Sequence, residues 1–188
     1  MDNTTLSKQT DRDYQVETLP ADSRTYRQTM GRFATGVTVL TVQAADGETV
    51  AMTANALTSV SLDPLLMLVC VGKHAAIAPH ILEADSFAFS FLNEDQEALS
   101  SYFAGIWHEN APPPQFTFLP WEDNVLLEGS IAGIICTTHQ IVESGDHWIV
   151  IGQATALHRP DHPGKPLVFY SGLYRKLDAL EKEFGSDS

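Results

Sequence analysis

Basic residues are scarce in this sequence. It has 11 Lys and Arg against 24 Asp and Glu, a formal net charge of −13. A protein that grips a nucleic-acid backbone needs a basic face. No basic run occurs, so neither nucleic acid nor an anionic membrane surface is an expected partner. An anionic small ligand stays compatible, because backbone N–H groups bind one without net positive charge. Cysteine is scarcer still, with only Cys70 and Cys136, each in an apolar β-like run (LLMLVC and IAGIIC). They read as buried free thiols, with a disulfide or a nucleophile as the lesser alternatives. No CxxC or HExxH occurs and the seven His are scattered, so metal chemistry has little support. No apolar run reaches the ~18 residues of a membrane span, and the N-terminus shows no apolar signal core. A soluble cytoplasmic protein is the expectation. No GxGxxG follows the first strand, which argues against a dinucleotide fold of that type. Charged residues make up 19%, below the usual ~25%, which favours some surface being hidden in an oligomer.

Hydrophobic residues, at 44% of 188, are enough for one domain with a real core. Residues 1–22 are polar and aperiodic and read as a flexible tail, leaving 23–188 as the domain. Asp22 or Ser23 is placed to cap a helix running through Tyr26, Met30 and Phe33, which Gly36 would end. Strands are expected at 37–43 and 49–54, joined by an Asp46-Gly47 turn. The stretch 52–64 reads as a loop by its end, where Asp63-Pro64 favours a turn, and is followed by a strand at 65–71 buried on both faces. Next come a short helix near 76–84, with Pro79 in its first turn, and a strand at 87–92. A helix at 94–104 would be capped by Asn93. The stretch 105–124, with Pro112 to Pro114 in a row, reads as a long connection. Strands at 129–143, 147–157 and 166–170 and a terminal helix at 176–184 complete the chain. Six or seven strands in hairpin-like pairs, with two or three short helices, predict a mainly β fold. Its antiparallel sheet would close into a barrel.

Three features bear on chemistry. "MTANALTSVSLDP" (52–64) puts uncharged hydrogen-bonding groups amid core-forming strands. They serve either local turn bonds or recognition of a neutral, planar, polar ligand such as an isoalloxazine ring, which neutral groups read without desolvating a charge. Gly145-Asp146-His147 is ordinary hairpin grammar, yet it also holds a His rigidly at a strand start, where it can exchange a proton near neutral pH. Phe169, Tyr170, Tyr174 and Trp107 form an aromatic set that core packing mostly explains.

"RFATGVTVLT", "MTANALTSVSLDP", "LLMLVCV", "GDH" with "IVIG" after it, and "PLVFYSGLY" stand in the order seen in the flavin reductase family, which the chain resembles over about 23–175. These are the split-barrel NAD(P)H:flavin oxidoreductases of two-component monooxygenases. "NAPPPQFTF" also resembles the reductase component of styrene monooxygenases. The resemblance implies an FMN-binding split β-barrel and a homodimer. It also implies hydride transfer from NADH, slightly favoured over NADPH, to loosely held FMN or FAD, and release of reduced flavin to a separate oxygenase component. A flavin carrier or electron-transfer protein is the alternative. By the same resemblance Met52, Thr53, Ala54, Asn55 and Ser59 line the flavin, and His147 stands by the nicotinamide. Phe103 and Tyr174 sit near the pocket, and Lys73 and His74 remain from the phosphate-holding segment. The hydroxyls of that segment are replaced by Ala75 and Ile77, and a frequent Arg is Ser171. Both losses predict a weak grip on the flavin phosphate.

Overall fold

The computed structural model describes residues 16–108, 110–162 and 164–177. In chain order the elements are α1 (Ser23–Met30), β1 (Thr35–Gly36), β2 (Thr38–Gln43), β3 (Thr49–Ala54), β4 (Leu57–Leu62), β5 (Leu65–Gly72), α2 (Ala78–Glu83), β6 (Ser86–Phe91), α3 (Glu97–Phe103), β7 (Phe118–Trp121), β8 (Asn124–Leu127), β9 (Ala132–Ser144), β10 (His147–His158), β11 (Val168–Tyr170) and β12 (Leu173–Arg175). The class is mainly β with a few short helices, as expected.

Seven strands form one antiparallel sheet in the order β3-β2-β6-β9-β10-β5-β4. Flat strands lie about 4.8 Å apart, so the two edges of such a sheet would be too distant to share a core. Yet Ala54 of β3, Leu40 of β2, Phe87 of β6, Val150 of β10 and Val69 of β5 belong to a single buried cluster. The sheet therefore curls around that core. A second cluster, with Val37, Val39, Leu92, Leu99 and Leu167, packs α3 and the C-terminal hairpin β11–β12 onto the other face.

Asp22 caps α1, its Oδ1 accepting from the N–H groups of Arg24 and Thr25. The helix stops at Met30 with Gly31 as its cap, and Gly36 instead pairs with Val168 as part of β1. The stretch 52–64 is mostly strand, and it turns at Asp63-Pro64 as expected. β3 runs to Ala54, only Asn55 and Ala56 turn, and β4 begins at Leu57. Its Thr and Ser look loop-like because β4 is a sheet edge, where Thr58 and Ser59 face water. β5 is not buried on both faces: Met67, Val69 and Val71 are buried, whereas Leu66, Leu68 and Cys70 are half-buried. Gln96 takes the cap position of α3. Asn93 works one turn earlier, accepting from the Asp95 N–H and donating to the Gly129 carbonyl. The long connection carries the start of the β7–β8 hairpin, whose turn residue Glu122 has φ 49°. β12 was not foreseen. Lys176 and Leu177 are not helical, and the rest of the expected terminal helix lies outside the described residues. Cys70 and Cys136 are free thiols, and burial pushes Cys136 up to about 12, so it is inert as a nucleophile.

Candidate active site

The turn between β3 and β4 borders a cleft of about 350 Å³. Phe33, Thr35, Asn55, Leu57, Thr58 and Leu167 are among its walls, and among the described residues no charged side chain lines it. Asn55 is exposed there, with one amide N–H donated to Thr35 Oγ1 at 3.1 Å. Thr58, not Ser59, joins it: Ser59 sits at a bulge opposite Met67 and faces solvent outside the cleft. Met52 and Ala54 point the other way, into the main core. Neutral donors and acceptors beside apolar walls suit a flat, uncharged ring with a polar edge.

Thr53 leads to a second group. Its hydroxyl donates to the Ser100 carbonyl of α3 at 2.7 Å. That carbonyl also accepts the Ala104 N–H, so both its lone pairs are committed. The fully buried Ser100 hydroxyl meets the Tyr174 phenol at 2.8 Å. One residue thus ties β3, α3 and β12 together. Phe103, a turn further along α3, packs edge-on against Phe116 at 5.0 Å. Ser100 was missed from the sequence. Its one signal is its place on the apolar face of α3, four residues after Gln96 and three before Phe103, and a serine there announces no partner.

The third group lies at the C-terminal end of β5. Gly145, at φ 59°, turns the β9–β10 hairpin, a conformation that costs a side-chain-bearing residue about 1 kcal/mol or more. His147 opens β10 opposite Gly72. Its Nδ1 bonds the Asp146 carboxylate at 2.7 Å, so in the neutral ring the Nδ1–H donates and Nε2 is left as the acceptor. Nε2 lies 3.8 Å from where a side chain on Gly72 would begin. Asp146 is held below the usual carboxylate range, chiefly by that hydrogen bond, then by the His147 charge, with a smaller pull from Arg27. The Lys73 backbone N–H donates to the Asp146 carbonyl at 3.0 Å. The Lys73 ammonium pairs with Glu143 and lies 5.4 Å from the Trp148 ring centroid. His74 is exposed beside it. Ala75 packs against the core and Ile77 is 1% exposed, so position 77 is not a ligand contact.

Two of these groups share one edge. The Cys70 N–H bonds the Ala56 carbonyl, which fixes the Asn55–Ala56 turn alongside β5. Gly72 and Lys73 follow two and three residues later, about 7–10 Å along the strand. The fold also brings Arg27 and Arg32 to a cleft of about 640 Å³ beside Ser171, a juxtaposition the sequence spacing did not reveal. Among the described residues no cluster could hold a metal ion, and no helix is long and apolar enough to cross a membrane.

A model of the flavin reductase like domain matches residues 30–178. The NADH-dependent flavin reductase of a Rhodococcus species is 41% identical over 160 residues, covering 84% of this chain and 88% of that protein. The NADH:FAD oxidoreductase SgcE6 of Streptomyces globisporus, solved with NAD and FAD fragments, superposes with a TM-score of 0.78 at 31% identity. That match covers 89% of this chain and all of that one. The styrene monooxygenase flavin reductase of Pseudomonas putida S12 superposes with a TM-score of 0.72 at 29% identity. It covers 82% of this chain and 98% of that one, so the likeness first read in one short segment extends over most of the domain. The chain belongs to the flavin reductase-like domain family.

Proposed function

We infer that the protein is an NADH-dependent flavin reductase that supplies reduced FMN or FAD to a monooxygenase. The observation that carries this reading is the uncharged cleft at Asn55 and Thr58, on the same edge as the anchored His147. Asn55 and Thr58 read the polar edge of the flavin ring. Thr53 contributes differently: its proton is committed to Ser100, so toward a ligand it is an acceptor. Ser100 also holds Tyr174, which ties the C-terminal hairpin to α3. The hydride passes between the two bound ring systems, and the protein contributes their placement and the exclusion of water. His147, fixed by Asp146 and given room by Gly72, positions the nicotinamide. Lys73 and His74 stand at the phosphate end.

The curled sheet is the FMN-binding split barrel, and the working unit is a homodimer. α1 supports this directly. None of its residues is buried, yet Tyr26 is 66% exposed and Met30 50%, with Phe33 just beyond at 71%. An eight-residue helix is too short to persist alone, since ~12–15 residues are marginal in water. A second copy covers that face. Light scattering is expected to give twice the chain mass at micromolar concentration, and a monomer there removes the dimer.

Fluorescence quenching tests the flavin site. Free FMN, FAD and riboflavin are each expected to be quenched reversibly. Asn55→Ala should weaken all three, by up to about tenfold, since one neutral hydrogen bond contributes ~1 kcal/mol and the residue is partly solvated. Unchanged affinity would mean that this turn satisfies only itself.

A further inference from the structure

We propose that Glu143 is a specificity-determining residue, whose carboxylate competes with the flavin phosphate for Lys73 and so limits how far phosphorylated flavins are preferred. The inference rests on the flavin reductase reading above. The basic side chains just past β5 and at the hairpin tip are each engaged within the chain: Lys73 by Glu143, and the His147 ring by Asp146. Lys73 is well placed to be selective. Its side chain is only 27% exposed and lies over Trp148, so its ammonium is held in one region. Glu143, 64% exposed near the end of β9, makes no other side-chain hydrogen bond among the described residues. A phosphate arriving at Lys73 must displace this carboxylate, so the anion gains only the difference between two pairings. Ala75, two residues on, has no hydroxyl, so its side chain offers no second donor. The ring cleft, lined by uncharged groups, is indifferent to the phosphate. Recognition of the ring and recognition of the phosphate are therefore separable, and Glu143 acts only on the second.

The experiment is equilibrium fluorescence titration of FMN and riboflavin with the wild-type protein, Glu143→Gln, Lys73→Gln and the double variant, at low and high salt. Thermal melting of each variant is recorded alongside. Removing the competitor should tighten FMN about three- to fivefold, the upper range for a partly exposed ion pair. Riboflavin, which has no phosphate, should move less than about 1.5-fold. The FMN gain should shrink at high salt and vanish in the double variant. The proposal is overturned if Glu143→Gln shifts FMN and riboflavin equally, shifts neither, or still tightens FMN without Lys73. Failure of the underlying reading looks different: no flavin would quench with the wild-type protein at all.

Discussion

Replacing His147 by alanine should lower NADH turnover about ten- to a hundredfold while flavin affinity changes less than about threefold. A small misplacement of one reactant against another costs a rate of that order. His147 is held at the start of β10 by the ladder to β5 and by its bond to Asp146, and it lies over a glycine that leaves its ring room. It stands opposite Gly72, about 7 Å along β5 from the Asn55–Ala56 turn, so its loss should disturb the second reactant more than the first. Single-turnover reduction of bound flavin, with a separate flavin titration, separates the two effects. A parallel fall in flavin affinity would place His147 in the flavin site or make it a support of the hairpin. The lowered pKa of Asp146 adds a pH dependence. A carboxylate with a depressed folded value keeps its contribution above its unfolded value and loses it only as the pH falls through the folded one. The His147 anchor is therefore intact at neutral pH and fails only in acid.

Gly152→Ala should destabilise the fold by about 3 kcal/mol or more, as overpacking of a closed core does. An added Cβ would lie 2.5 Å from Phe87 Cζ and 2.6 Å from Cys136 Cβ. Both neighbours are fully buried, and Cys136 Cβ is too close to its backbone to move aside. The site is also where β10 shifts register against β9, so the glycine sits at the irregularity that bends the longest hairpin around the core. For a chain of this size a loss of that magnitude lowers Tm by about 10 °C. Gly36→Ala is the contrast: no atom lies within 4 Å of its added Cβ, and its stability should stay within about 0.5 kcal/mol. A Gly152→Ala protein that melts like the wild type would show that β9 and β10 separate easily there, against the packing described.

The paired strands were legible because alternation and turn chemistry are local. β3 was placed at its observed bounds from "TVAMTA", and the tip of the β9–β10 hairpin from Gly145. β4 was not, because the Thr and Ser of an exposed edge strand look like loop residues until the partner strand is known. β12 failed for a related reason: three residues carry no periodicity, and pairing with β11 alone defines them. The site shows the same division. Asn55, Lys73 and His147 lie in motifs and were named from them. Ser100 belongs to no motif, and its role exists only because β3 and β12 arrive on either side of α3. Met52 and Ala54 were named with the loop Met52 to Ser59, but they lie in β3, where alternation turns them into the core while Thr53 faces α3.

The central claim is that flavin is a diffusible substrate reduced by NADH. The most direct measurement follows NADH consumption by the purified protein with and without added FMN or FAD. The account predicts a largely colourless protein that is idle without added flavin and turns over many equivalents with it, the rate saturating in flavin. A protein that binds flavin but does not consume NADH would instead be a carrier, and one that turns over at full rate without added flavin would hold it as a prosthetic group. Either result contradicts the account.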